Sequence, residues 1–434
     1  MNKNTSPKVG LLNFHFANNY GAVLVAYSLK KTVESLGYRT EIINYVAQKA
    51  FGVGAFLHFR GKYLAPMSKE YTQKMALQAD CNKWDYIIVG SDQVWRMFKT
   101  DIYMLSWASG SCSLISYAAS FGHDAYDGSL SRSMAYTLLK RFDAISVREN
   151  SGVDICKNDF SINAVQVLDP TFLLSPSEYD EIIQGEKVRL PKVPYICGVF
   201  LSAKAKEFHS NKSYMKSLRE KYPIIDPIRD ESGKMRPVAE WLALIKNATY
   251  VITNSFHGAV FSIIFNKQFI PVMHEGFNGN ARIPSLLSMF GIDTSRIVSS
   301  LDDITIESFE KKIDYEEVNH RLVELKKRSL NFLKNSLKNT PQYKDPWKPV
   351  DHRKAFNSFS LNKAEGIDDD DWAFYKKWVE LKLAEPLAFP ERFLNLEKRI
   401  RDLEEKIEKY KNANNSVKHK NLLHKIKSFF NKKK

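Results

Sequence analysis

The chain has 434 residues, of which 44% are hydrophobic and 12% aromatic, and a formal net charge of +15. That is enough apolar material for two domains with an appendage, and too much for a disordered chain. Residues 391–434 hold 14 Lys+Arg against 6 Asp+Glu, so over half of the positive excess sits in the last tenth of the chain. This argues against nucleic-acid binding by the domains, which also lack a basic–aromatic platform.

Cys81, Cys112, Cys156 and Cys197 are scattered without C-x-x-C spacing, so neither a disulfide framework nor a zinc site follows, and a reducing cytoplasm is the expected compartment. The segment Met1–Lys8 lacks the apolar core of a signal peptide. No run of about 18 apolar residues predicts a spanning helix.

In chain order, Lys8–Phe14 predicts a first buried strand. A polar loop follows, His15-Phe16-Ala17-Asn18-Asn19-Tyr20-Gly21, and then a helix over Ala22–Leu36 with Leu24, Tyr27, Leu29, Val33 and Leu36 as its apolar stripe. Thr40–Tyr45 starts a second strand, completing a β-α-β unit. Its loop lacks G-x-G-x-x-G spacing, so no nicotinamide site is read. Asn18, Asn19 and Gly21 sit where such folds bind ligands, although Asn and Gly also serve ordinary loops.

Residues 50–80 read as irregular, a candidate flap over the site. Asp85–Gly90 predicts a strand ending at Ser91-Asp92, which places an acidic residue at the ligand edge or, alternatively, at a helix cap. Ser113–Ser120 repeats strand then small residues. Ala144–Val147 leads into Arg148-Glu149, where a planar guanidinium suits a carboxylate or phosphate, or else pairs internally with Glu149. Gln166–Thr171 closes this half.

A second half restarts at the strand Tyr195–Phe200. A helix over Lys212–Lys221, a short strand at Ile224-Ile225 and a helix over Pro237–Lys246 precede the stretch Tyr250–Phe265. There a buried strand stops at Thr253-Asn254-Ser255, turns through Phe256-His257-Gly258, and re-enters an apolar helix. A histidine at such a junction either faces a ligand or satisfies a tight turn; the helix start behind it offers N–H groups to an anion. Gln268–Val272 is the next strand, and Arg282 precedes a helix over Ile283–Phe290, facing the same region or simply solvent. The alternation predicts an α/β fold of two doubly wound domains facing a cleft.

From Ile313 the character changes to long polar helices. The expected divisions are 1–175 and 176–340 for the two domains, 341–390 for a linker with a helical segment, and 391–434 for a C-terminal extension. In the last, Phe393, Leu396, Ile400, Leu403, Ile407 and Tyr410 follow 3-4 spacing, a heptad seam short of three repeats, with a homo-oligomer as its possible product. Leu422, Leu423, Ile426, Phe429 and Phe430 form an apolar face opposite lysines, suited to a membrane surface on the cytoplasmic side, or to a frayed tail.

Taken together, N-N-Y-G-A (18–22), V-G-S-D-Q-V-W (89–95), S-Y-A-A-S-F-G (116–122), S-V-R-E-N-S-G (146–152), V-L-D-P-T (167–171) and S-F-H-G-A-V-F-S-I-I-F-N-K (255–267) resemble the polysaccharide pyruvyl transferase family. The resemblance runs in order over about residues 8–300. The chain departs from the family pattern at Val25, where Gln is frequent, at Arg96, where Asn is frequent, and at Asn254, where Asp is frequent.

The resemblance implies two Rossmann-like domains facing a cleft, as in GT-B glycosyltransferases. It also implies transfer of the enolpyruvyl unit of phosphoenolpyruvate onto two hydroxyls of a sugar in a cell-surface or exopolysaccharide precursor, free or lipid-linked. Phosphoenolpyruvate is then a co-substrate, and no separate cofactor or metal is expected. His257, Arg148 and Asp92 are the candidate catalytic residues, as proton donor, anion clamp and base. Asn18, Asn19, Gly21, Ser91, Asn254, Ser255, Phe256, Gly258 and Arg282 are the candidate substrate-binding residues. Two alternatives are a glycosyltransferase using a nucleotide sugar on the same architecture, and a non-catalytic, membrane-peripheral glycan-assembly protein.

Overall fold

A computed structural model describes residues 6–338 apart from 47–53, 97–99, 109–111, 131, 202–214 and 274–281. The expected linker, heptad seam and basic tail lie outside the described residues.

Among the described residues, ten strands make two sheets within one compact unit. In the first, β1 (Lys8–Leu12), β2 (Arg39–Ile42), β3 (Tyr86–Val89), β4 (Ser113–Ala119), β5 (Ala144–Val147) and β6 (Val165–Gln166) run in the order β2-β1-β3-β4-β5-β6. In the second, β7 (Ile196–Val199), β8 (Ile224–Ile225), β9 (Tyr250–Thr253) and β10 (Phe269–Pro271) run β8-β7-β9-β10. Every strand pair in both sheets is parallel. Parallel strands are covered on both faces, which is why β3 and β4 are buried along their whole length and read as near-continuous apolar runs. This is the α/β, Rossmann-like architecture the alternation predicts.

The two sheets share one topology. The order of strand addition reverses between β1 and β3 in the first and between β7 and β9 in the second, and open α/β sheets bind ligands beyond the carboxyl ends of the strands at such switch points. Ser91 follows β3, and Phe256-His257 follow β9. The repeated topology therefore places the singled-out motifs at two equivalent edges.

Local capping moves both helix starts earlier than the apolar stripes suggest. The Asn19 side chain accepts from the Ala22 amide at 3.2 Å, so α1 begins at Tyr20 (Tyr20–Ser35). The Ser255 side chain accepts from the Gly258 amide at 3.3 Å, so the next helix begins at Phe256 (Phe256–Ile264). His257 thus lies in the first turn of a helix, not in a free loop.

The halves are joined by apolar packing as well as by chain. Tyr20 stacks on Trp241 with ring centroids 5.2 Å apart, and its hydroxyl donates to the Arg236 carbonyl at 2.8 Å. Residues 50–80 differ from the irregular flap expected. Gly54–Tyr63 is a helix, with Phe56 and Phe59 buried against Tyr20 and Tyr27. The i, i+3, i+7 spacing of Phe56, Phe59 and Tyr63 is a helical face, and burial against α1 stabilises it despite the weak local propensity of glycine and histidine.

The closing helix Tyr315–Lys338 returns to the first sheet. Its Ser329 hydroxyl accepts from the Leu168 amide at 3.0 Å, and its Leu337 carbonyl accepts from the Tyr38 hydroxyl at 2.8 Å. No helix of the described residues is long and apolar enough to cross a membrane. All four cysteines are buried and none is in a disulfide; the sulfurs of Cys81 and Cys112 lie 3.7 Å apart.

Candidate functional site

The carboxyl edges of the two sheets meet around one residue from each side, Arg148 after β5 and Phe256 at the start of its helix. The Arg148 guanidinium lies over the Phe256 ring, 4.2 Å from its centroid. The Arg282 guanidinium lies 6.0 Å from the centroid of the same ring. Two cations therefore flank one aromatic face, which tolerates them because its quadrupole presents negative charge to each.

The two arginines are paired differently. Arg148 Nε donates to Glu149 Oε1 at 2.7 Å and its Nη1 donates to Asp169 Oδ2 at 3.3 Å, while its Nη2 is enclosed without a partner. Burial alone would lower its pKa, but the charges of Glu149, Asp169 and Asp92 outweigh burial and raise it above the ordinary arginine value. Arg282 has no carboxylate of the described residues within ion-pair distance. Its polar contact is neutral: with the Gln93 amide assigned so that its oxygen faces the guanidinium, as the surrounding donors require, that oxygen accepts from Arg282 at 3.0–3.2 Å. Burial, and then the like charge of Arg148, lower its pKa to about 10. The internal Arg148–Glu149 pair, one of the two readings of the sequence, is formed, and Arg282 has no ion-pair partner among the described residues.

Asp169, from the V-L-D-P-T segment, is the hub of the junction. Its Oδ1 accepts from the Thr171 amide at 3.0 Å and the Thr171 hydroxyl at 2.7 Å. Its Oδ2 accepts from Ser91 Oγ at 3.0 Å and from Arg148, and faces His257 Nε2 at 3.7 Å. Burial would raise this carboxyl, but the imidazole of His257, the guanidinium of Arg148 and the Thr171 amide outweigh it and hold the group well below the usual carboxylate range.

His257 is 8% exposed and enters the first half from the second. Its Nε2 is buried with no hydrogen-bond partner, and 3.7 Å to Asp169 is longer than such a bond. Its Nδ1 lies over Gly21 in the first turn of α1; a Cβ at position 21 would come within 2.0 Å of that nitrogen. Gly21 is thus the space the imidazole occupies.

Asp92 follows β3 with φ at +144°, a strained conformation for a residue with a side chain, and strain of this kind gathers at functional sites. Its Oδ1 accepts from the Gln93 amide at 2.8 Å. Of the other expected residues, Ser255 and Asn19 are helix caps. Asn18 accepts from Arg60 at 3.3 Å. Asn254 is turned away from Asp169 and accepts from the Leu201 amide at 2.8 Å, where it fixes the chain after β7.

Sequence reasoning read Asp169 only as part of the stretch that closes the first half, with no role in the site, and passed over Glu149 and Gln93 as ligand-edge residues. The signal for Asp169 was the D-P-T string itself: an acidic residue directly before a proline, able to cap the turn that follows, as it does here.

The likeness of the chain to solved structures is loose. UDP-GlcNAc 2-epimerase from Neisseria meningitidis, bound to UDP-GlcNAc, is 12% identical with a TM-score of 0.48, covering 76% of this chain and 100% of that one. S. aureus MnaA with UDP is 11% identical with a TM-score of 0.46, covering 79% and 100%. The architecture stands on the two parallel sheets themselves. Among curated proteins none matches significantly. The family description for polysaccharide pyruvyl transferase matches residues 19–276, a span that holds every site residue named above except Asn18 and Arg282. The chain belongs to the polysaccharide pyruvyl transferase family and is a transferase.

Proposed function

We propose that the protein transfers the enolpyruvyl group of phosphoenolpyruvate onto two hydroxyls of a sugar in a polysaccharide precursor, leaving a cyclic pyruvate ketal and inorganic phosphate. The observation that carries the reading is the pairing of Arg282, an enclosed cation whose polar partner is a neutral amide, with the free Nη2 of Arg148 across the Phe256 ring. Phosphoenolpyruvate brings a carboxylate and a phosphate, and guanidinium groups bind both in planar, charge-assisted fashion.

In the reaction, a general acid protonates the methylene carbon and the positive charge develops at the ether carbon. One sugar hydroxyl adds there and gives up its proton, forming a tetrahedral phosphoketal. The bond from that carbon to the phosphate oxygen breaks, phosphate leaves, and the second hydroxyl adds with loss of its proton. His257 is the proton donor, with the nitrogen chemistry suited to that role near neutral pH. Arg282 holds the larger share of donor charge, Arg148 a single N–H contact, and Asp92 takes the acceptor proton.

Incubation with phosphoenolpyruvate and a panel of free and lipid-linked glycans tests this. Release of phosphate together with a new ketal methyl resonance in the glycan is the expected result. Turnover of a nucleotide sugar instead, with no phosphate released from phosphoenolpyruvate, would overturn it.

A further inference from the structure

We propose that Asp169 is the positioning residue of this site: its fixed carboxylate aims Nε2 of His257, sets the ring tautomer and holds the imidazole in one orientation against Gly21. The proposal deepens the pyruvyl-transfer reading and rests on it for the role of His257, but its geometry is independent of the substrate.

The argument starts from what immobilises Asp169. It is fully enclosed, its Oδ1 is held by two donors of Thr171, and Ser91 and Arg148 fix its Oδ2. A carboxylate so held cannot turn away, and Oδ2 is the atom that faces Nε2 at 3.7 Å. The ring is confined on its other side by Gly21, where a methyl group would collide with Nδ1. The imidazole therefore has one orientation with two distinct nitrogens. Nε2 points at the fixed anion, and Nδ1 is packed against Gly21 in the first turn of α1.

This is the arrangement in which a third group orients an acid–base residue without touching the substrate. The other charged groups at the junction do not substitute for it. Arg148 and Arg282 are cations, Glu149 is engaged by Arg148 Nε, and Asp92 is engaged by the Gln93 amide.

Asp169→Asn keeps the shape, and its amide oxygen can still accept from Thr171. The readouts are steady-state turnover with phosphoenolpyruvate and the imidazole 15N resonances of His257, assigned by their loss in His257→Gln. We expect kcat to fall about 100-fold with KM for phosphoenolpyruvate changed less than threefold, and the Nε2 signal to shift as the fixed tautomer is lost. Thr171→Val, which loosens Asp169 without touching His257, should move the same signal in the same direction, and serves if Asp169→Asn does not fold. An unchanged His257 spectrum in the folded variants would overturn the proposal whatever the activity. A shifted spectrum in a protein that never turns over phosphoenolpyruvate would uphold the positioning role and remove the pyruvyl-transfer reading alone.

Discussion

Each half of this protein carries a buried histidine at the carboxyl edge of its sheet, and the two are used in opposite ways. His15, just past β1, has both ring nitrogens occupied: Nδ1 with the Asn13 carbonyl at 3.0 Å and Nε2 with Asn44 Oδ1 at 3.1 Å. Burial depresses its pKa despite those bonds. His257, at the matching edge of the second half, keeps Nε2 unbonded, faces a fixed carboxylate and rests on a glycine. A satisfied imidazole is a structural part; one with an open nitrogen beside a paired anion is equipped for proton transfer. The arginines repeat the lesson. Arg148 is anchored by two carboxylates and Arg282 by none of the described residues, so the one that looked like the anion clamp in sequence is largely an internal pair.

The contrast between the histidines breaks most directly under substitution. His257→Ala should lower kcat with phosphoenolpyruvate by about 10²–10⁴-fold, the range for loss of a general acid, whereas His15→Gln should leave turnover within about threefold of wild type and lower stability by about 1 kcal/mol. Comparable losses of turnover in both variants would erase the distinction.

Next in size is Gly21→Ala. The added methyl displaces the imidazole, and a misplacement of about 1 Å at a reacting group costs about 100-fold. Near-normal turnover with an unchanged melting temperature would mean the ring can move without consequence.

The two arginines separate in kind. Arg282→Gln should raise KM for phosphoenolpyruvate by about 10-fold or more with the fold intact, because charge-assisted contacts contribute about 1.5–3 kcal/mol. Arg148→Gln should instead destabilise the protein by about 3–5 kcal/mol, since it leaves Glu149 and Asp169 as buried charges without their cation. Thermal melts beside steady-state kinetics on both variants decide between the roles.

The smallest effect is in the acid limb. The Asp169 carboxyl is held below its ordinary value of 3.8, so its contribution to stability is complete above that value and is lost as pH falls below it. Asp169→Asn should therefore show a shallower fall in melting temperature than wild type between roughly pH 5 and pH 3. Parallel curves would place the titrating group elsewhere.

Much of the fold was legible because parallel strands are buried on both faces and write themselves as apolar runs, as β3 and β9 do. The position of His257 was legible for the same reason, since a strand that stops abruptly before a helix locates a sheet edge. The helix Gly54–Tyr63 was missed because its stability comes from aromatic contacts with α1, 32 or more residues away in sequence, rather than from local propensity. Asn254 drew attention as a departure from the family pattern, yet its side chain bonds the Leu201 amide and takes no part in the contacts of Asp169.

The sequence by itself determined the two alternating halves, the family, and which residues stand at strand ends, since hydrophobic period and local capping are written in neighbouring residues. Only the tertiary structure decided the division of labour among them. That Arg148 is anchored by two carboxylates and Arg282 by none of the described residues, that Gly21 makes room for an imidazole, and that Asp169 belongs to the site depend on contacts between residues up to 236 positions apart. No local pattern encodes such pairings, because they follow from bringing the carboxyl edges of two sheets together and burying the charges between them.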